Sequence, residues 1–164
     1  KGKKPDLIFY GGMGSAAGPM LRQMKGLGMA VKFMGGDGIC SEVELPTLAG
    51  DALADNQVVC AEAGGVTKDK AAAVEAWKKR FKEKFGADVQ LYAPYVYDAT
   101  MVMASAMQKA NSVEPAKYLP ELAKLTYDGV TGKIAFDNHG DIKDGTLTVY
   151  TYKGGKRSLM MVVK

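Results

Sequence analysis

The sequence has few of the residues on which most catalytic and metal sites depend. Its 164 residues include one histidine, His139, and two cysteines, Cys40 and Cys60. One histidine in a turn-like segment gives little support for a Ser-His-Asp triad or a histidine metal site, and two cysteines cannot make a cysteine-rich zinc site. No pair of carboxylates stands out as a general acid and base. We therefore expect a protein without enzymatic activity, metal or cofactor.

Long apolar runs and a strong excess of one charge are also missing. No apolar run approaches the roughly 18 residues that span a bilayer, so no transmembrane helix is expected. The net charge is +4, and the 22 Lys and Arg residues are interspersed with 18 Asp and Glu residues, which argues against a nucleic-acid surface. Residues 1–6 do not have the pattern of a signal peptide ahead of the apolar residues 7–10, so none is expected in this stretch. We expect either a mature, processed protein or a piece of a longer one.

The composition is otherwise that of a globular protein, with 47% apolar and 24% charged residues. Short apolar runs at residues 7–10, 31–34 and 57–60 predict buried strands. Helical spacing predicts a helix between the first two strands, with Ser15 as its cap, and a short helix after Ser41. This order is typical of an α/β fold with a parallel sheet covered by helices.

Beyond the third strand the pattern changes. The small residues and paired glycines at 61–66 indicate a crossover rather than a strand or helix. Residues 94–111 are apolar most of the way round and predict a helix buried on several sides. Thr67 is expected to cap a long helix with the apolar stripe Val74, Trp77, Phe81 and Phe85. The remaining predicted elements are a helix near Pro115, a strand at 133–136 and a hairpin pairing 146–152 with 157–163.

The turn after the first strand allows two interpretations. Residues 12–17 (GMGSAA) fit the dinucleotide-binding pattern G-x-G-x-x-[GA], in which Gly12, Gly14 and Ala17 would make the turn. Asp37, 20 residues further on, would bind a ribose hydroxyl. The alternative function is therefore an NAD(P)-dependent oxidoreductase. The pattern is permissive, however, and glycines at both strand ends add flexibility where the fingerprint requires a tightly specified turn.

The second interpretation places a different ligand at the same edge. The carboxyl ends of parallel strands form the crevice in which open α/β folds bind ligands. Asp37, in a glycine-rich loop, suits an ammonium group, and Tyr95 near the start of the 94–111 helix offers an aromatic wall and a hydroxyl. In the simplest alternative, Asp37 is only a turn residue and Tyr95 only a half-buried helix residue.

Cys40 and Cys60 are predicted near this same sheet edge. A disulfide between them would close about 20 residues and stabilise the fold by about 3 kcal/mol on the chain-entropy model. Such a bond indicates an oxidising compartment such as the periplasm. Two buried free thiols remain the alternative.

Five segments taken together are similar to a known family. Residues 5–12, 20–23, 33–38, 48–51 and 93–99 (PDLIFYGG, MLRQ, FMGGDG, LAGD and APYVYDA) resemble the branched-chain amino acid (leucine/isoleucine/valine) binding proteins of bacterial ABC transporters. The resemblance implies a type I periplasmic binding protein, in which two Rossmann-like lobes joined by three crossovers close on an amino acid. Only the later half of such a protein is matched.

The resemblance also implies a domain organisation. Residues 1–62 and 146–164 would belong to the second, C-terminal lobe and residues 63–145 to part of the first lobe, with crossovers near 61–66 and 143–145. The function implied is uptake of branched-chain or other aliphatic amino acids in the periplasm, where the closed protein docks on a membrane permease. A ligand-sensing domain of the same fold is a further alternative.

The ligand-binding residues follow from the same resemblance. Asp37 lies where the family has an acidic ligand to the substrate ammonium, with a shorter reach than glutamate. Met13 replaces a pocket tyrosine, Tyr95 matches the tyrosine that opens the buried helix, and Gly14 and Ser15 are expected to line the cleft by proximity. The groups that hold the substrate carboxylate would come from a part not matched here, so we expect weak or no binding by this chain alone. Exposed sheet edges favour a homodimer or a strand-exchanged dimer.

Overall fold

The computed structural model describes residues 2–64, 71–90 and 92–163. The chain divides into two compact units, the first made of Lys1–Gly65 with Thr146–Lys164 and the second of Val66–Gly145. In chain order the strands are β1 (Leu7–Tyr10), β2 (Lys32–Gly35), β3 (Val58–Ala63), β4 (Thr126–Asp128), β5 (Lys133–Ala135), β6 (Leu147–Lys153) and β7 (Lys156–Val163). The helices are α1 (Gly14–Gly26), α2 (Glu44–Ala49), α3 (Ala71–Phe85), α4 (Ala93–Ala110) and α5 (Pro115–Lys124).

The first unit is built on a five-stranded sheet with the order β1-β2-β3-β6-β7. β1, β2 and β3 run parallel, and the β6–β7 hairpin adds two antiparallel strands. Gly154 and Gly155 form the hairpin turn with φ of 55° and 72°, a left-handed conformation that suits glycine and a tight two-residue turn. The predicted α/β fold and the predicted hairpin are confirmed.

β3 is longer than the sequence indicated. Ala61, Glu62 and Ala63 continue the strand and pair with β6, although they were expected to begin a crossover. Small residues give a weak strand signal, and this strand depends on a partner far along the chain. Residues 65 and 66 of the predicted crossover, like the predicted cap Thr67, lie outside the described residues. The assignment of the two units to the two lobes of a binding protein stays a prediction.

One face of this sheet forms the core of the first unit. Successive strand residues point to opposite faces, and Phe33 and Val58, which are paired in the sheet, are fully buried. Leu21 of α1, Leu45 of α2 and Tyr152 of β6 are buried in the same cluster. Burying each aliphatic or phenyl side chain of this kind stabilises by roughly 1.5–3 kcal/mol.

The start of α1 differs from the prediction. Met13 is the N-cap residue and makes no side-chain cap bond, while Ser15, the predicted cap, is exposed inside the first turn. The helix therefore begins directly after the loop that follows β1. Beyond its other end, Gly28 has a φ of 65° and donates its N–H to the Lys25 carbonyl, a left-handed conformation that suits a glycine just after a helix.

The second unit consists of α3, α4 and α5 with a two-stranded antiparallel ribbon of β4 and β5. The Trp77 ring is buried and lies 5.5 Å from the rings of both Phe81 and Tyr97, so it links α3 to α4. Val74 is buried as predicted, but Phe85 at the end of the predicted stripe is exposed. β4 had no signal in the sequence and exists through its pairing with β5.

α4 is less buried than its composition indicates. Its buried residues are Asp98, Val102 and Ala106, which lie on one helix face at spacings of four residues. Val96 is 61% exposed, and Met103 is exposed as well. The expectation of a helix buried on several sides is therefore wrong for this structure, because the described residues cover only one of its apolar faces.

Candidate functional site

Two loops leave the sheet of the first unit side by side. β1 ends at Tyr10 and β2 ends at Gly35, and these two residues are paired in the sheet. A Cβ atom on Gly38 would lie 2.6 Å from the Gly12 carbonyl oxygen and 2.8 Å from the Met13 sulfur. The loop after β2 therefore packs directly on the loop after β1, and only glycine fits at position 38.

Asp37 begins the turn that follows β2, and residues 37–41 are here named the Asp37 turn. Residues Asp37–Ile39 form a single 3-10 turn, and the Asp37 carbonyl accepts a hydrogen bond from the Cys40 N–H at 2.9 Å. The Asp37 side chain is exposed. The carboxylate is therefore presented to solvent on a backbone turn of fixed shape.

The other predicted ligand-binding residues fall in two places. Met13, which is 51% exposed, Gly14, which is buried, and Ser15, which is exposed, all follow β1 at the same sheet edge as Asp37. Tyr95 lies in the first turn of α4 in the second unit, where it is half-buried. The first unit thus brings Met13 and the Asp37 turn together through Gly38, and the roles of all five residues stay predictions.

The carboxylate of Glu44, the first residue of α2, lies beside the start of α1. A Cβ atom on Gly14 would lie 2.7 Å from a carboxylate oxygen of Glu44. A negative charge beside a helix N-terminus is favoured by the helix dipole. A bound dinucleotide would need this position for its phosphates, so the placement of Glu44 argues against the oxidoreductase interpretation.

The Asp37 turn is tied to β3 by a disulfide. Cys40 and Cys60 are bonded, with their Cα atoms 5.5 Å apart, and both residues are fully buried. The predicted disulfide is confirmed, although Cys60 lies inside β3 rather than at its end. The bond fixes the end of the Asp37 turn against the central strand of the sheet.

Tyr152 of β6 holds the same turn from a second direction. Its hydroxyl lies 3.0 Å from the Ile39 carbonyl oxygen and 2.8 Å from the Ser41 carbonyl oxygen, so it can donate to either one. Burial raises the pKa of this hydroxyl well above its usual value. Tyr152 is therefore a protonated hydroxyl at neutral pH and can donate to these carbonyl groups.

Arg157 of β7 makes the third tie to the turn. Its Nη1 donates to the Cys40 carbonyl at 2.8 Å and to Glu62 at 2.6 Å, and its Nη2 donates to Glu42 at 2.5 Å. The guanidinium carbon also lies 4.2 Å from the centre of the Tyr150 ring, which is a favourable cation–π distance. We name Glu42, Glu62 and Arg157 the Arg157 cluster.

The electrostatics of this cluster extend to Asp37. Burial raises the pKa of Glu62, the positive charge of Arg157 offsets part of that rise, and the carboxylates of Glu42 and Asp37 add to it. Glu62 therefore interacts with the carboxylates of both Glu42 and Asp37 as well as with the guanidinium of Arg157. The carboxyl edge of this sheet carries an excess of negative charge, which favours a cationic group over an anionic one.

Sequence reasoning missed the residues that hold the turn. Tyr152 and Arg157 lie more than 100 residues beyond Ile39 and Cys40, the residues whose carbonyls they bind, and Glu62 was placed in a crossover. Alternation in the predicted hairpin was the available signal, because it placed Tyr150 and Tyr152 on one face of β6.

The second unit contains an open cavity of about 580 Å³ lined by Leu119, Leu122, Phe136, His139 and Lys143 among others. His139 lies in a turn, where its backbone N–H donates to the Asp137 carboxylate at 2.8 Å. Within the described ranges, no group of three or more His, Cys, Asp or Glu residues is arranged to hold a metal ion. None of the helices described is both long and apolar enough to cross a membrane.

Comparisons with known proteins agree along nearly the whole chain. A family model for periplasmic binding proteins matches residues 1–156. The Leu/Ile/Val-binding protein homolog 1 of Brucella abortus is 34% identical over 153 residues, which are 92% of this chain and 39% of that protein. The leucine-, isoleucine-, valine-, threonine- and alanine-binding protein of Pseudomonas aeruginosa is 29% identical over 145 residues, 88% of this chain and 38% of that protein.

Solved structures of binding proteins also match nearly the whole chain. A leucine-binding protein from Thermotoga maritima matches with a TM-score of 0.76 at 26% identity, covering 97% of this chain and 45% of that one. An isoleucine complex of a branched-chain amino acid substrate-binding protein from Streptococcus pneumoniae also has a TM-score of 0.76, and at 24% identity it supports the fold. This chain spans about two fifths of the length of the curated relatives above and under half of these structures.

Proposed function

This chain belongs to the periplasmic binding protein family, and we propose that it forms part of a solute-binding protein for branched-chain or other aliphatic amino acids. The names of the similar proteins support this class of ligand. The proposed role is delivery of the amino acid to an ABC transporter, with no chemical step of its own.

The observation that carries the proposal is the position and charge of the Asp37 turn. Asp37 is exposed at the carboxyl edge of the sheet, beside the apolar side chain of Met13 and within a region of negative charge. A carboxylate beside an apolar wall suits the ammonium group and aliphatic side chain of one amino acid. Met13 is flexible and polarisable, so this wall would adapt to side chains of different shape.

The rest of the mechanism follows the family. The first unit would be the C-terminal lobe and the second unit a part of the N-terminal lobe, and the two would close on the ligand before docking on a permease. Tyr95 would contribute from the second unit. The disulfide supports a location in an oxidising compartment, the periplasm.

Asp37→Asn tests the proposed recognition of the amino group. Leucine and its deaminated analogue 4-methylpentanoate are titrated separately into the chain while backbone amide NMR signals of the Asp37 turn are followed. We expect leucine, but not the analogue, to shift these signals, and Asp37→Asn to abolish the shift because it removes the charge that pairs with the ammonium.

The matched control is Asp6→Asn, which removes an exposed carboxylate at the opposite end of β1. It should leave the leucine response unchanged. An equal response to leucine and 4-methylpentanoate, or the same loss in both variants, would contradict a site for the amino group. A response to NADH at the loop after β1 would favour the oxidoreductase interpretation instead.

A further inference from the structure

The Asp37 turn is held from three sides, and the three contacts differ in kind. The disulfide is covalent and uncharged, and the Tyr152 hydroxyl makes neutral hydrogen bonds to carbonyl groups. The contact from Arg157 is charged, because the guanidinium that binds the Cys40 carbonyl also pairs with Glu42 and Glu62. Arg157 therefore contacts both the backbone of the turn and the neighbouring carboxylates.

The guanidinium of Arg157 is partly buried and contacts the turn and both carboxylates at the same time. Its side chain is 13% exposed and that of Glu62 is 14% exposed, so water screens this pair weakly. One nitrogen, Nη1, serves both the Cys40 carbonyl and Glu62, while Nη2 serves Glu42. The planar guanidinium has donors in fixed directions and lies over the Tyr150 ring, an arrangement that the single ammonium of lysine cannot reproduce.

The charges that Arg157 pairs are also the neighbours of the proposed ligand carboxylate. Glu62 interacts with both Glu42 and Asp37. Without the guanidinium, Glu62 would face the carboxylates of Glu42 and Asp37 with no positive charge to pair with, and the exposed start of the turn at Asp37 is the part with freedom to move away. Repulsion of this kind displaces loops more readily than it displaces paired strands.

We propose that Arg157 is a positioning residue for the amino-group site: it fixes the Asp37 turn through the Cys40 carbonyl and pairs the carboxylates that would otherwise repel Asp37. This proposal rests on the proposed function for its purpose, but the positioning itself is measurable without any ligand. It assigns to β7, at the far edge of the sheet order, a part in the site formed after β2.

Amide hydrogen exchange in the oxidised chain tests the positioning directly. The Ile39 N–H donates to Gly36 and the Cys40 N–H to Asp37, so both amides report on the turn. We expect Arg157→Met to speed their exchange by about tenfold or more, while the buried α1 residues Leu21 and Met24 change less than about twofold. Arg157→Lys should give an intermediate effect, since lysine keeps the positive charge but lacks the planar group with two donor nitrogens.

Lys156→Met is the matched control. Lys156 is the neighbouring exposed residue of β7, and alternation points it to the opposite face of the sheet, so its loss should leave exchange in the turn unchanged. Unaltered exchange at Ile39 and Cys40 in both Arg157 variants would overturn the proposal. So would a uniform rise that includes α1, because that is the signature of general destabilisation.

Two further measurements cover a variant that does not fold and separate the positioning from ligand binding. If Arg157→Met does not fold, Arg157→Lys and Glu62→Gln replace it, and a local rise at the turn is again the supporting result. Leucine titration of wild type and Arg157→Lys then addresses function separately. A wild-type chain that shows no leucine response contradicts the proposed function and leaves the exchange result to decide the positioning.

Discussion

Asp98→Asn should destabilise the second unit strongly. Asp98 is 1% exposed in α4, and its carboxylate holds the turn between β4 and β5. One oxygen accepts the Val130 N–H at 2.9 Å, and the other accepts the Thr131 N–H at 2.7 Å and the Thr131 hydroxyl at 2.6 Å. The turn also packs so closely that a Cβ on Gly129 would lie 2.5 Å from a carboxylate oxygen.

The magnitude follows from counting the donors. Asparagine has the same shape but offers one oxygen and one NH₂ group, so in either orientation its NH₂ faces a part-buried N–H of Val130 or Thr131. Leaving such a donor unsatisfied costs about 1–3 kcal/mol. The remaining hydrogen bonds also lose their charge assistance, and a hydrogen bond to a charged acceptor is about twice as strong as a neutral one. We expect a loss of about 2–4 kcal/mol in the free energy of unfolding.

Urea denaturation followed by Trp77 fluorescence is the assay. Trp77 lies in the same unit and packs on Tyr97, the residue before Asp98, so it reports on this unit. Asp141→Asn, an exposed carboxylate in the same unit, is the control and should change stability by less than about 0.5 kcal/mol. Thr131→Val should cost about 1 kcal/mol, because it removes the hydroxyl donor and keeps the N–H.

A double-mutant cycle completes the test. In the Asp98→Asn background Thr131→Val should cost much less than it does alone, since its acceptor is already impaired. If Asp98→Asn unfolds at the same urea concentration as Asp141→Asn, or if the two Asp98 and Thr131 effects add fully, the carboxylate does not hold the turn as the structure indicates.

Three further predictions concern the disulfide, ligand binding and association. Replacing Cys40 and Cys60 together by alanine should cost about 3 kcal/mol in urea unfolding, because the bond closes a loop with a sequence separation of 20 residues; a loss below about 1 kcal/mol would contradict this. Calorimetry should find only weak leucine binding to this chain alone, of the kind that the NMR titration detects, and tight binding would refute the need for the rest of the cleft. Sedimentation should show dimers at high concentration, since Leu7, Phe9 and Met161 are exposed on one sheet face; a strictly monomeric profile would count against it.

The strands of the first unit were predictable because their signals are local. β1 and β2 are short apolar runs that end in glycines, which is the pattern of a strand. The expectation that β1 is buried is wrong, because it lies at the edge of the sheet with Leu7 and Phe9 exposed. Two of the five segments that pointed to the family, 5–12 and 33–38, lie at these strand ends, and the family match confirms the resemblance. In contrast, α4 is apolar most of the way round, and composition alone could not tell which of its faces this chain covers.

The residues that fix the candidate site could not be predicted from the sequence, and the reason is physical. The shape of the Asp37 turn is local, since glycines on both sides of Asp37 permit it, but its position is set by partners far along the chain. Tyr152 reaches the Ile39 carbonyl across 113 residues and Arg157 reaches the Cys40 carbonyl across 117. Neither residue type carries a signal for a carbonyl partner at such a distance, because tyrosine and arginine also occur in hairpins that make no such contact. A local pattern can therefore locate a ligand loop, whereas only the strand order shows what makes it rigid.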